Sequence, residues 1–116
     1  MDSTRQLAAI MFTDIVGYTA LMGEDEQNAF GLLIKNRQLQ QPLIKLFNCK
    51  FIKELGDGIL ASFQTATDAV FCAIDIQQKC KNISGYRVRT IFIVGNLNSQ
   101  QRLHWQDIAY TISLIY

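Results

Sequence analysis

The sequence predicts an α+β fold in which two helices cover one face of an antiparallel sheet, and three observations support this prediction. Apolar runs of strand length and segments of helical periodicity follow the order strand, helix, strand, strand, helix, strand. The two middle strands are joined directly by Gly56-Asp57-Gly58, a hairpin signal. The 116 residues, 49% of them hydrophobic, suffice for one core. Together these features indicate a ferredoxin-like βαββαβ arrangement.

The first strand and the first helix occupy the N-terminal half of the chain. The run from Leu7 to Ile15 is apolar nearly throughout, as expected for a central strand, and Gly17 ends it. Helical periodicity starts at Glu24 and is predicted to continue to Asn48, with a kink or a split at Pro42. The predicted apolar stripe of this helix contains Phe30, Leu33 and Ile34, and it resumes after Pro42 with Leu43, Ile44 and Phe47.

The hairpin and the second helix follow. Two short strands are predicted from Phe51 to Leu55 and from Ile59 to Phe63, and both glycines of the turn between them are expected to supply positive φ angles. Thr65 or Thr67 is expected to cap the second helix. The apolar stripe of that helix is predicted to be formed by Ala69, Val70, Ala73, Ile74, Gln77 and Cys80.

The last part of the chain is less regular. Arg87 to Val94 reads as a strand, the polar segment 96–101 as a turn, and Ile108 to Tyr116 favours a strand over a helix. We therefore divide the chain into a flexible N-terminus (1–6), a core (7–95) and a diverged or incomplete C-terminal segment (96–116).

Composition restricts the class of partner. Lys and Arg number 11 against 10 Asp and Glu, so the chain has no strong field that would attract nucleic acid, and a small molecule is the expected ligand. No apolar run reaches about 18 residues, so no membrane span is expected. The three cysteines form no C-x-x-C pair and no leader segment is recognisable, which predicts reduced core thiols in a cytoplasmic protein.

Two aspartates carry the chemical signal. Asp14 and Asp57 each end an apolar run close to a glycine, so both carboxylates are expected over one divalent metal site at the edge of the sheet. Taken alone, Asp57 could be a turn residue and Asp14 a cap at a strand end. Their occurrence together, each in the same local pattern, favours the metal site.

The motif from Phe12 to Thr19, FTDIVGYT, and the motif from Ile52 to Phe63, IKELGDGILASF, resemble the catalytic domain of class III nucleotidyl cyclases, the adenylate and guanylate cyclases. The resemblance extends from about Leu7 to Gly95. It implies an enzyme in which two Mg²⁺ or Mn²⁺ ions draw the ribose 3′-hydroxyl of ATP or GTP onto the α-phosphate, releasing pyrophosphate and a 3′,5′-cyclic nucleotide.

The resemblance also implies roles for individual residues. Asp14, Asp57 and the backbone carbonyl of Ile15 match the metal ligands of the family. Lys53 matches the position that reads the base, and because an ammonium group only donates, ATP is expected rather than GTP. The peptide N–H groups between Ile15 and Thr19 would lie near the triphosphate, where Gly17 and a helix start favour an anion. The full set expected to bind nucleotide is Phe12, Val16, Gly17, Tyr18, Thr19, Lys53 and Gly56.

The sequence departs from the family after about Val94. An ungapped reading from Arg87 places the asparagine and arginine that act on the transition state at Tyr110 and Leu114, and neither replacement can do their work. Ile93 and Asn96 likewise stand where histidine and glutamate are common. No catalytic residue is therefore assigned, and a truncated, diverged or frame-shifted end is expected.

The family works as a head-to-tail dimer, with metal aspartates from one subunit and the asparagine and arginine from the other. The resemblance therefore implies a homodimer, or a heterodimer with another cyclase domain, in which this chain supplies only the metal half of each site. Two alternatives stay open: a non-catalytic regulatory or dimerisation module of the same fold, and a nucleotide-binding domain related to the polymerase palm.

Overall fold

The computed structural model describes residues 6–97 and 103–115, and the side chains of residues 9–92. These residues form five strands and three helices. The strands are β1 (Gln6–Ile15), β2 (Cys49–Leu55), β3 (Gly58–Phe63), β4 (Val88–Leu97) and β5 (Leu103–Ile115). The helices are α1 (Tyr18–Glu24), α2 (Glu26–Leu46) and α3 (Ala66–Cys80).

The five strands form one antiparallel sheet in the order β2-β3-β1-β4-β5. Its first four strands, with α2 and α3, make the ferredoxin-like core, so the predicted fold is confirmed, and β5 extends the sheet beyond β4. The core lies between the sheet and these two helices, where alternate residues of β1 such as Met11 pack with Ile44 of α2 and Ile76 of α3. We call the opposite side of the sheet the helix-free face.

The helix that contains Pro42 is continuous, so of the predicted kink or split the split is wrong. α2 runs from Glu26 to Leu46, which is shorter than the expected 24–48. Pro42 has no N–H to donate to the carbonyl of Gln38, but both residues are exposed, and water can take the place of the missing hydrogen bond. The loss therefore falls on the solvent side of the helix, where it costs least.

The buried stripes differ in part from the predicted ones. Leu33 is buried as expected, but Phe30 and Ile34 of α2 and Ile74 of α3 are 58%, 43% and 40% exposed. The buried side of α2 is not an unbroken apolar stripe, because it includes two polar residues, Asn36 and Gln40. Leu43 and Ile44 are buried as predicted, so the apolar pattern is right for the C-terminal part of α2 and wrong where the buried face is polar.

Other boundaries agree more closely. Thr65 caps α3, since its hydroxyl accepts a hydrogen bond from the Asp68 N–H at 3.1 Å. The final strand was predicted and begins earlier than expected, at Leu103, while α1 was not predicted at all. The expected loose N-terminus and polar turn fall mostly outside the described residues, except that Gln6 belongs to β1, and Asn96 and Leu97 to β4.

The three cysteines are free thiols, Cys72 and Cys80 being buried and Cys49 half-buried. Burial raises the pKa of Cys72 to about 12 and that of Cys80 to about 11, so both are protonated at neutral pH and suited only to packing. In the described part of the chain, no helix combines the length and hydropathy that crossing a bilayer requires.

Candidate functional site

The fold brings the end of β1 next to the β2–β3 turn. β1 pairs with β3 along Ala9 to Thr13, and this places the turn residue Asp57 beside the last residues of β1. The carboxylate of Asp57 accepts a hydrogen bond from the Ile15 N–H at 3.0 Å. The two segments that carry the aspartate motifs are therefore joined directly, 42 positions apart in sequence.

Asp14 lies on the helix-free face and forms an ion pair with Arg89. The two residues are directly opposite each other in the β1–β4 register. Arg89 donates from Nη2 to Asp14 Oδ2 at 2.5 Å and from Nε to Asp14 Oδ1 at 3.2 Å, a two-pronged arrangement typical of guanidinium and carboxylate. These hydrogen bonds and the charge of Asp14 raise the pKa of Arg89.

A cavity of about 240 Å³ opens at this corner of the sheet. Both aspartates and Arg89 line it, so two negative charges and one positive charge converge there. The remaining lining residues come from the end of β1 and the start of α1: Ile15, Val16, Gly17, Tyr18, Thr19 and Ala20. Asp57 and six more of the expected site residues thus line this one cavity.

Arg89 was not among the residues that the sequence singled out. The topology of the sheet could have indicated this residue. In a βαββαβ sheet the first and fourth strands are neighbours, so a charged residue early in β4 faces the acidic end of β1. Without the register, Arg87 and Arg89 were equally good candidates.

Three expected nucleotide-binding residues, Phe12, Lys53 and Gly56, do not line this cavity. Lys53 is exposed on β2, opposite Leu60 of β3, which in turn is opposite Phe12 of β1. Lys53 and Phe12 therefore share one row across the helix-free face. Asp14 lies on the same face, two residues further along β1 than Phe12, which corresponds to about 7 Å.

The backbone at the start of α1 is partly engaged within the protein. Gly17 has φ +77°, a left-handed conformation that favours glycine. The N–H of Val16 donates to the Arg87 carbonyl at 2.9 Å, and that of Ile15 is bound to Asp57. The ring of Tyr18 packs against the core. Of the peptide groups expected near a triphosphate, two are therefore already used to close the corner.

The two glycines of the hairpin have different functions, which corrects the prediction that both take positive φ. Gly56 does so, at +62°. Gly58 instead lacks a side chain because Phe12 occupies the space: a Cβ there would lie 2.5 Å from Phe12 Cζ and 3.2 Å from the Leu55 carbonyl oxygen. The Phe12 ring therefore packs directly on the residue next to Asp57.

Gly58→Ala is expected to destabilise the fold by about 1–3 kcal/mol, the usual cost of overpacking, and to move the Asp57 turn. Urea unfolding measures the change in free energy. Gly31→Ala is the matched control, because a Cβ at Gly31 meets no atom within 4 Å and alanine favours a helix. Equal stability of the two variants would contradict the close packing of Phe12 on Gly58.

The donor set at this corner suits a hard divalent cation. Carboxylate oxygens of Asp14 and Asp57 and the carbonyl of Ile15 are the kind of ligand that Mg²⁺ and Mn²⁺ prefer. With Arg89 included the three side chains sum to one negative charge, so a cation would be attracted. Among the residues whose side chains are described, no group of three His, Cys, Asp or Glu forms a complete cage. Such an ion would need further oxygen ligands from a nucleotide or water.

Comparisons with known proteins agree with this description. No protein-family model matches the chain. "Putative adenylate cyclase 3" of Rhizobium meliloti (strain 1021) is 40% identical over 75 residues, which is 64% of this chain. The adenylate/guanylate cyclase/hydrolase of Silicibacter pomeroyi is 30% identical, with a TM-score of 0.71 over 91% of this chain. A bacterial light-regulated adenylyl cyclase has the same fold, with a TM-score of 0.76 over 97% of this chain at 14% identity.

These relatives are longer than the chain. It spans 13% of the length of the Rhizobium protein and 64% of each of the two solved chains. The likeness therefore concerns one domain, and in the Silicibacter comparison it includes most of the residues described above.

Proposed function

Because this chain is a class III nucleotidyl cyclase domain, we propose that it holds Mg²⁺ or Mn²⁺ and ATP at the corner formed by Asp14 and Asp57. The observation that carries the proposal is the meeting of both aspartates at one cavity, with Ile15 hydrogen-bonded to Asp57 between them. The reaction class is conversion of ATP to 3′,5′-cyclic AMP and pyrophosphate, in cyclic-nucleotide signalling.

Asp14, Asp57 and the Ile15 carbonyl would hold two metal ions, which supply charge neutralisation and activation of the 3′-hydroxyl when bound. The chain's own residues prepare this site. Asp57 is oriented by the Ile15 N–H, and Asp14 is held by Arg89. Arg89 is also a fixed cation at the cavity and can bind anionic phosphate oxygens bidentately.

Lys53 would read the base from its position on the helix-free face. It lies two strands from β1, about 10 Å across the sheet, and its row is about 7 Å from that of Asp14. A nucleotide with its phosphates at Asp14 would extend over Phe12 and Leu60 toward the ammonium group. A donor at that end suits the N1 acceptor of adenine better than the protonated N1 of guanine.

A second subunit would complete the site. Phe51 and Leu55 on the helix-free face are 40% and 46% exposed, which suits a surface that another domain covers. Tyr110 and Leu114, where an ungapped reading puts the family's asparagine and arginine, lie on β5 and not on a helix. The partner domain would therefore have to supply the donors that stabilise the transition state, and a homodimer would turn over slowly or not at all.

The proposal is tested by measuring Mn²⁺ binding, then ATP and GTP binding in the presence of Mn²⁺, and cyclic nucleotide production from each. Mn²⁺-dependent binding that favours ATP, and that is lost in Asp57→Ala, is the expected result. Absence of Mn²⁺ and nucleotide binding would refute the proposed function. Production of cyclic AMP by the chain alone would refute the part that requires donors from a partner.

The Asp14–Arg89 ion pair favours a second candidate, a non-catalytic regulatory or dimerisation module. Both oxygens of Asp14 accept from Arg89, so a metal ion must compete with a guanidinium already in place. The module predicts dimerisation without Mn²⁺ and no nucleotide binding. Sedimentation of the chain with and without Mn²⁺-ATP separates the two functions.

A further inference from the structure

A group of buried polar side chains lies behind the Asp14–Arg89 pair, on the helix side of the sheet. Thr13 precedes Asp14 in β1, and Thr90 follows Arg89 in β4. The two threonines face each other in the β1–β4 register, and both are fully buried. Because successive residues of a strand point to opposite faces, each threonine is the buried neighbour of a site residue.

A glutamine from α2 holds the first threonine. Gln40 is fully buried, and its Oε1 accepts from the Thr13 hydroxyl at 2.8 Å. Its Nε2 donates to Asn36 Oδ1 at 2.6 Å, and the hydroxyl of Tyr86 donates to the same oxygen. Gln40 is thereby fixed on both sides and cannot turn away from Thr13 without breaking a second hydrogen bond.

A glutamine from α3 holds the second threonine. Gln77 Nε2 donates to the Val88 carbonyl at 2.7 Å and to the Thr90 hydroxyl at 3.2 Å, so it binds the residues on both sides of Arg89. Gln77 Oε1 is buried and has no hydrogen-bond partner within the described part of the chain. A buried acceptor without a partner costs free energy, so the two hydrogen bonds that Gln77 donates are kept at that cost.

We propose that Gln40 and Gln77 are positioning residues for the Asp14–Arg89 pair. Each fixes the strand residue adjacent to one member of the pair, from a different helix. A rotation of β1 at Thr13 would turn Asp14 with it, and a rotation of β4 at Thr90 would turn Arg89. The two amides therefore set the angle at which the carboxylate and the guanidinium meet. This inference rests on the proposed function, since it concerns the same site.

Replacing the glutamines by methionine tests the proposal, because methionine has a similar length and no amide. In Gln77→Met we expect a melting temperature equal to or below that of the wild type, because the unpartnered Oε1 is removed but the Val88 carbonyl and the Thr90 hydroxyl lose their donor. The Arg89 Nε–H, followed by NMR without metal, should exchange about tenfold faster, the scale set by the loss of a supporting hydrogen bond. Gln40→Met should likewise speed the exchange of the Arg89 Nε–H, because Thr13, the neighbour of Asp14, loses its hydrogen-bond partner.

Gln78→Met and Gln38→Met are matched controls, since both residues are exposed on the same helices. A folded Gln77→Met with wild-type Nε–H exchange would overturn the proposal. If Gln77→Met does not fold, Thr90→Val and Thr90→Ser decide: Ser should restore the slow exchange that Val loses, and equal behaviour of the two would overturn it. If the wild type binds no Mn²⁺, the proposed function fails, while the exchange rate of Arg89 still tests the positioning role.

Discussion

Asp57→Asn is expected to lower Mn²⁺ affinity at least about 100-fold while leaving the fold intact, because loss of a supporting partner alone costs about 10–100-fold. The amide oxygen of asparagine can still accept from the Ile15 N–H, which lies 3.0 Å from the carboxylate. The hairpin would therefore keep its position, and only the charge would be lost. Mn²⁺ titration followed by electron paramagnetic resonance measures the affinity, and urea unfolding checks the stability.

Asp75→Asn is the matched control for this substitution. Asp75 is an acidic residue of similar exposure on α3, paired with Lys79 one turn away and remote from the cavity lining. The substitution Asp75→Asn changes the net charge of the protein by the same amount as Asp57→Asn, so any general electrostatic effect on Mn²⁺ binding would appear in both variants. Equal Mn²⁺ affinities in Asp57→Asn and Asp75→Asn would show that the corner of β1 and the hairpin is not the metal site.

The order of elements could be predicted because it depends on local patterns. The hairpin at Gly56 and the cap at Thr65 are determined by the chemistry of a few adjacent residues, and the structure has both. The middle of the buried face of α2 could not be predicted, because it contains Asn36 and Gln40, which bind Thr13, Tyr86 and each other. Those hydrogen bonds between polar side chains cannot be inferred from the spacing of apolar residues.

The candidate site follows the same division: residues in local motifs could be predicted from the sequence, and residues that depend on long-range pairing could not. Asp14 and Asp57 could be recognised because each belongs to a local motif, and the fold places both at one cavity. Arg89 belongs to no such motif, and its role depends on the strand register across 75 positions. The sequence pattern predicts a turn role for Gly58, whereas its lack of a side chain serves the packing of Phe12, a contact between distant segments. Residues whose role depends on long-range pairing require the structure.

Mixing this chain with a cyclase domain that lacks its own two metal aspartates, but retains its asparagine and arginine, is expected to produce cyclic AMP. The expected rate is at least about 100-fold above that of either protein alone, since one preorganised donor is worth about two to three orders of magnitude. This chain would supply Asp14 and Asp57, and the partner would supply the donors that Tyr110 and Leu114 cannot provide. Production of cyclic AMP from Mn²⁺-ATP measures the gain.

The same mixture made with the Asp57→Asn variant separates complementation from simple stabilisation of the partner. A partner that only needs a second domain for its stability would gain equally from both forms of this chain, because Asp57→Asn preserves the hydrogen bond to Ile15. A partner that needs metal ligands would gain from the wild type alone. Gain of activity from both forms, or from neither, would contradict the half-site arrangement. Gain from the wild type alone would place the aspartates of this chain opposite the donors of its partner.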